Sequence, residues 1–254
     1  MTEETRLSIE QMTGTIEDVE KLDEQGGTST VYQVKTKTGK YLLKTATRAR
    51  YQEWLAEEAI VLEEWMQREP GFLPEYVGFF KDRTAPHSHL LMGWRDGMTL
   101  TTALRQATSE QRIQLWQAFG TYLFHFHQRA TVGMSDVWLT ERLMTAERYV
   151  ASGWASGTMD LLDRLKETRP QPINVCWIHG DCTTDNLLVA TNGTMSFIDV
   201  GAMRPGDRRY DIALAISPII NDRKALNAFY EGYRFEQLPR SEFDYYEQGL
   251  YTFF

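Results

Sequence analysis

Three short strand-like runs of apolar and polar residues lie between Thr15 and Thr45, and then the period changes. Thr15-Ile16-Glu17-Asp18-Val19-Glu20-Lys21-Leu22, Val31-Tyr32-Gln33-Val34-Lys35 and Tyr41-Leu42-Leu43-Lys44-Thr45 read as three strands. Gly26-Gly27-Thr28-Ser29-Thr30 turns the first into the second, and Thr38-Gly39 turns the second into the third. With Thr38-Gly39 as the turn, Gln33 faces Lys44, and Val31, Gln33, Leu42 and Lys44 share one face. From Tyr51 to Met66 the spacing of Trp54, Leu55, Ala59, Leu62 and Met66 becomes helical. An extended run from His89 ends at a Gly97 turn, and the chain is helical again from Leu100. Ser109 is the expected N-cap of a helix whose stripe is Ile113, Trp116, Ala118, Phe119, Leu123, Phe126 and His127.

A second alternating stretch carries chemistry. Asn192-Gly193 separates Leu187-Leu188-Val189-Ala190 from Met195-Ser196-Phe197-Ile198, and Asn-Gly between apolar runs is a strong hairpin signal. A two-residue turn there sets Asn186 opposite Asp199, with Cβ atoms roughly 5 Å apart. An amide oxygen and a carboxylate at that separation suit a hard cation such as Mg²⁺, which keeps waters and substrate phosphates as its other ligands. Asp181 lies on the loop entering the hairpin, available to orient a hydroxyl and accept its proton.

Composition narrows the classes. The 254 residues are 42% hydrophobic and 24% charged, as in an ordinary folded domain or a two-lobed one. A formal charge of −8 argues against nucleic-acid binding and is compatible with a cationic substrate. No apolar run approaches the ~18 residues of a membrane span, and Met1-Thr2-Glu3-Glu4-Thr5 lacks the start of a signal peptide, so a cytoplasmic location is expected. Cys176 and Cys182 are too few for a disulfide framework or a cysteine zinc site. His125 and His127 are not at i, i+4 and cannot form a helical metal pair; His127 reads as a packed core histidine, and His87 carries no interpretable signal.

His179-Gly180-Asp181, Asn186 and Asp199-Val200-Gly201 together have the layout of the kinase catalytic loop and metal motif, and with Gly180 in place they resemble the aminoglycoside phosphotransferase family, the 3′-phosphotransferases in particular, within the protein-kinase-like superfamily. The resemblance runs from about Gly14 to the end of the chain. It implies an α+β, bilobal kinase-like fold, with a small N-lobe of antiparallel sheet plus one helix over residues 1–92, a hinge at 93–97, and a mostly helical C-lobe with the catalytic hairpin over 98–254. It further implies that Gly26, Gly27 and Ser29 cover the nucleotide phosphates, that Lys44 grips them, and that a helical glutamate pairs with Lys44. Glu58 is the chosen partner, with Glu57 left open. Met92, Gly93 and Arg95 are expected around the adenine, Asp181 as the catalytic base, and Asn186 and Asp199 as the metal ligands. Asp211 is expected to begin a helix and to hold the catalytic loop through backbone hydrogen bonds.

Departures from that family bear on the acceptor. The stretch from Val150 to Val175 offers only Asp160, Asp163 and Glu167 where relatives place many carboxylates. Beyond Asp211 the substrate candidates reduce to Asp222 and the terminal Phe254, and Ala202 stands where arginine often follows the metal motif. The resulting expectation is an ATP- and Mg²⁺-dependent O-phosphotransferase for a small hydroxylated molecule, an aminoglycoside or other amino-bearing alcohol among the candidates, with GTP left open as donor. The competing readings are a protein kinase, which the absence of an Ala-Pro-Glu segment disfavours, and a non-catalytic nucleotide-binding module, which usually lacks one of Lys44, Asp181, Asn186 or Asp199.

Overall fold

The structure, a computed structural model, describes every residue except Glu24, Thr84 and Ala130. The chain divides into two compact units, one of Met1–Gly97 with Ser196–Ala202 and one of Met98–Met195 with Met203–Phe254.

In the first unit, helix α1 (Glu3–Thr13) precedes strands β1 (Ile16–Lys21), β2 (Thr30–Thr36) and β3 (Lys40–Ala46), helix α2 (Ala49–Arg68), and strands β4 (Tyr76–Lys81) and β5 (Ser88–Gly93). The strands form one antiparallel sheet in the order β1-β2-β3-β5-β4. Ile9 of α1 packs with Ile16, Val34, Leu43 and Leu91 on one face, so this unit holds a second helix that the strand pattern did not reveal.

The β2–β3 register differs from expectation. Val31 pairs with Lys44 and Gln33 with Leu42, because the turn is centred on Lys37-Thr38. Threonine side chains hold that turn: the Thr38 N–H donates to Thr36 Oγ1 at 3.2 Å, and the Thr38 hydroxyl donates to the Thr13 carbonyl at 2.7 Å. The slip is two residues, so side-chain parity survives and Val31, Gln33, Leu42 and Lys44 still share a face. On α2 the buried residues Leu55, Glu58, Ala59, Leu62 and Trp65 form a single stripe, which includes Glu58 and excludes the exposed Glu57.

The second unit begins with β6 (Met98–Thr99), α3 (Leu100–Gln106), α4 (Ser109–His127), α5 (Ser135–Ala151) and α6 (Met159–Glu167). It continues with β7 (Cys176–Ile178) and β8 (Leu187–Val189); after β9 (Met195–Phe197), of which only Met195 belongs to this unit, come β10 (Arg204–Gly206), α7 (Arg208–Ile216), α8 (Arg223–Tyr233), α9 (Arg240–Phe243) and the closing turns Asp244–Gly249 and Leu250–Phe253. Thr108, one residue ahead of the expected Ser109, caps α4 in a capping box with Gln111. Helices α4 and α8 pack backbone to backbone at two glycines. A Cβ on Gly120 would lie 2.0 Å from the Phe229 carbonyl oxygen, and one on Gly232 would lie 2.0 Å from that of Gln117.

The β8–β9 turn also departs from expectation. Gly193 alone has a positive φ, +82°, whereas a type I′ turn needs it at Asn192 too. The Gly193 N–H donates to the Ala190 carbonyl and the Ala190 N–H to the Thr194 carbonyl, both at 2.9 Å. This is a three-residue loop in which Asn192 Oδ1 accepts from the Thr194 N–H at 2.9 Å. The pairing that set Asn186 opposite Asp199 presumed the two-residue turn and does not follow from this loop. Among the described residues, no helix is long and apolar enough to cross a membrane.

Candidate active site

In the first unit three charged side chains converge. Lys44, on β3, is nearly buried, and its Nζ donates to both carboxylate oxygens of Glu58 at 2.8 Å. It also lies 3.2 Å from Asp199 Oδ1. Glu58 is fully enclosed on α2, and a carboxylate there is tolerable only with such a partner. Burial by itself would lower the Lys44 pKa, but the carboxylates of Asp199 and Glu58 outweigh it and hold the ammonium charged. Asp199 stands in the left-handed backbone region at φ +56°, with its side chain 49% exposed. A non-glycine residue held at positive φ is uncommon and clusters at functional sites. Its carboxylate is therefore both accessible and anchored by Lys44.

In the second unit the loop that begins at His179 is anchored through its backbone. Asp211, completely buried in the first turn of α7, accepts the His179 N–H at 2.6 Å on Oδ2 and the Gly180 N–H at 2.9 Å on Oδ1. His127 Nε2 donates to the same Oδ2 at 3.2 Å, and the Tyr233 hydroxyl donates to His127 Nδ1 at 2.7 Å. Burial lowers the His127 pKa against the pull of Asp211, so the ring stays neutral and one tautomer meets both partners. His127 is thus a core residue with a polar task. Asp207, rather than Asp211, is the N-cap of α7; its carboxylate accepts the Arg209 N–H at 2.9 Å and pairs with the Arg209 guanidinium.

Asp181 follows this anchored dipeptide. Asn186 Nδ2 donates to Asp181 Oδ2 at 2.8 Å and to the Asp181 carbonyl at 2.9 Å, which orients the amide so that its Oδ1 faces away from Asp181. The Tyr251 hydroxyl donates to Asp181 Oδ1 at 2.9 Å. Burial, followed by the Asp181 carboxylate, raises the Tyr251 pKa, so the phenol remains a donor. No local motif marks Tyr251; it is separated from Asp181 by 70 positions, and only the closing turns bring it there.

Other expected residues have these positions. Gly26 and Gly27 are exposed with open space above their Cα atoms, and Ser29 is half-buried. Gln25, which the sequence reading passed over, closes the base of that turn by donating to the Leu22 and Val31 carbonyls and accepting the Val31 N–H. Met92 is buried and pairs with Leu42 and Tyr76. The Gly93 N–H donates to the Glu75 carbonyl at 2.8 Å and the Trp94 N–H to that of Lys40 at 3.1 Å, so those two donors are committed within the unit. The Arg95 guanidinium donates to the Gly71 and Leu73 carbonyls. Asp222 Oδ1 caps α8 by accepting the Lys224 and Ala225 N–H groups, and Phe254 packs under the Arg142 guanidinium at 3.4 Å. Burial pushes the Cys176 thiol up to about 12 and that of Cys182 well above its ordinary value, so neither thiol is poised as a nucleophile.

Residues 20–246 match the phosphotransferase enzyme family, APH. The chain belongs to that family and is a phosphotransferase of the protein-kinase-like α+β fold. No curated protein matches the sequence. Among solved structures it is similar to a spectinomycin phosphotransferase in complex with ADP and spectinomycin, with a TM-score of 0.63, 13% identity, and coverage of 97% of this chain and 83% of that one. The GDP and kanamycin complex of APH(2″)-IIia gives a TM-score of 0.63 at 15% identity, covering 99% and 88%. The choline kinase LicA from Streptococcus pneumoniae gives 0.61 at 13%, covering 96% and 86%. At such identities these likenesses speak for the fold.

Proposed function

We propose that the protein is an ATP- and Mg²⁺-dependent kinase that phosphorylates a hydroxyl of a small molecule. The observation that carries this reading is the Asp181 carboxylate, which receives a hydroxyl proton donor at 2.9 Å on Oδ1 while Asn186 holds Oδ2. Each carboxylate oxygen has a second lone pair, so an acceptor hydroxyl can dock on the same group. The remaining residues suit a nucleotide and its metal. Lys44 is a permanently charged phosphate ligand steadied by Glu58. The accessible Asp199 carboxylate and the Asn186 Oδ1 are the hard oxygen donors that Mg²⁺ prefers. When bound, ATP supplies the γ-phosphoryl group and Mg²⁺ neutralises its charge. Lys44 would hold the α- and β-phosphates, with Gly26, Gly27 and Ser29 as the residues that would cover them. Asp181 would align the acceptor hydroxyl and take its proton as that oxygen bonds to the γ-phosphorus, while the bond from the γ-phosphorus to the β,γ-bridging oxygen breaks and ADP leaves.

For the acceptor, the supported class is a hydroxylated small molecule. Spectinomycin and kanamycin in the similar structures, and choline as the named substrate of another, make amino-bearing alcohols the first to test. The net charge of −8 is compatible with a cation. A cytoplasmic location, where ATP is at hand, accords with two buried free cysteines. ATP consumption with Mg²⁺ across amino sugars, amino alcohols, sugars and a generic protein tests the reading. Stimulation by at least one small molecule is expected. Phosphorylation of the protein alone would replace it with a protein kinase, and no stimulation at all with a binding module.

A further inference from the structure

We propose that Asp82, His87 and His89 form a binding site for one divalent transition-metal ion, zinc before others, on the α1 face of the five-stranded sheet. The ligating atoms of the three residues all lie within 4.8 Å of one another, and the trio is confined to the first unit. Asp82 Oδ2 is 3.3 Å from His87 Nδ1, and Asp82 Oδ1 is 3.3 Å from His89 Nε2. With metal–ligand bonds of about 2.0–2.1 Å, a tetrahedral zinc site has ligand-to-ligand edges of about 3.3 Å. N–H···O hydrogen bonds run shorter, about 2.7–3.2 Å.

Two of the atoms involved are otherwise unsatisfied. Among the described residues, Asp82 Oδ2 and His89 Nε2 are buried without a hydrogen-bond partner, the Asp82 side chain being 1% exposed and that of His89 4%. Unpaired polar atoms at that depth are costly, and a cation between them would satisfy both. The surrounding groups are arranged as metal ligands require. His89 Nδ1 is 3.0 Å from the Thr45 hydroxyl, which can accept the proton when Nε2 is the ligand. The Thr5 hydroxyl donates to Asp82 Oδ1 at 3.1 Å. The His87 side chain is 33% exposed, leaving a path for entry and room for a water as fourth ligand. Two imidazoles with one carboxylate favour zinc and its neighbours over Mg²⁺ or Ca²⁺.

Thr45 and His89 are paired across β3 and β5, one residue along from Lys44 and Leu90, and therefore point to the opposite face from Lys44. The ion's role here is structural. It would tie the β4–β5 connection, whose Asp82 N–H donates to the His87 carbonyl at 3.1 Å, to α1, where Glu4 accepts the Arg83 N–H and Thr5 bonds Asp82. This inference is independent of the phosphotransfer reading, because it uses none of the residues of that site.

The test uses the full chain with any affinity tag removed, stripped with a chelator and titrated with Co²⁺ and Zn²⁺ in excess Mg²⁺. The expected result is one Co²⁺ per chain with the visible absorption of a tetrahedral site, displacement by Zn²⁺, and a higher thermal midpoint in Zn²⁺. His87→Ala, at a half-exposed position, and Asp82→Asn should each weaken binding at least about tenfold. Absence of stoichiometric uptake, or unchanged affinity in His87→Ala, would overturn the proposal.

Discussion

Replacing Asp211 by Asn changes no volume and removes one charge from the point where the catalytic loop is anchored. Three donors converge on this carboxylate, the His179 N–H and His127 Nε2 on Oδ2 and the Gly180 N–H on Oδ1. An asparagine has one acceptor oxygen, so its NH₂ end must face an N–H. Placed against Gly180, it meets a single donor head-on; placed against the other oxygen's partners, it meets two. Hydrogen bonds to a charged group contribute about 1.5–3 kcal/mol each, and a buried donor left unpaired costs about 1–3 kcal/mol. One bond lost and two weakened amount to a destabilisation of about 2–4 kcal/mol. The displaced Gly180 moves Asp181, and a shift of ~1 Å in a reacting group can lower turnover about 100-fold. Urea unfolding should show a lower midpoint at unchanged slope, and acceptor-stimulated turnover should fall with nucleotide affinity retained. A stability within about 0.5 kcal/mol of wild type, the range of an ordinary surface substitution, would refute this account of the loop.

Three further outcomes are expected. Gly120→Ala inserts a Cβ 2.0 Å from the Phe229 carbonyl and should cost at least about 1–3 kcal/mol by thermal or urea unfolding, whereas Gly26→Ala, which meets nothing within 4 Å, should leave stability unchanged. Tyr251→Phe removes a side-chain donor that orients Asp181; kcat should fall while the nucleotide dissociation constant stays fixed, and an unchanged kcat would remove Tyr251 from that role. Because burial holds the His127 pKa down, the unfolded chain binds the extra proton in the interval between the folded value and about 6.5. Stability should therefore rise with pH across that interval and be lost as pH falls through it, and His127→Gln should flatten this slope in unfolding experiments from pH 5 to 8.

Much of this was legible in the chain itself. The pairing of Lys44 with a helical glutamate followed from resemblance, which left Glu57 open beside Glu58, whereas the side-chain parity of β2 and β3 came from the strand period and survived a two-residue error in their turn. That error arose because Thr36 and Thr38 side chains, not the glycine, define the turn. At Asn192-Gly193 the type of turn mattered more, since a three-residue loop alters the pairing by one position and flips parity. The grip of Asp211 on the catalytic loop followed from resemblance, whereas the His127 and Tyr233 contacts behind it join residues far apart in sequence. The same holds for Tyr251 on Asp181. Such contacts depend on tertiary packing, and no periodicity encodes them. Asp222 is an exposed acid whose Oδ1 caps α8, a local role that its place ahead of a helical run could have shown.

The central claim is that Asp181 accepts the proton of an acceptor hydroxyl. Its most direct test is Asp181→Asn, compared with wild type for Mg²⁺-dependent, acceptor-stimulated ATP turnover and, separately, for nucleotide binding. The account predicts a loss of turnover of at least about 100-fold with the nucleotide dissociation constant nearly unchanged. Turnover retained in the variant would contradict it.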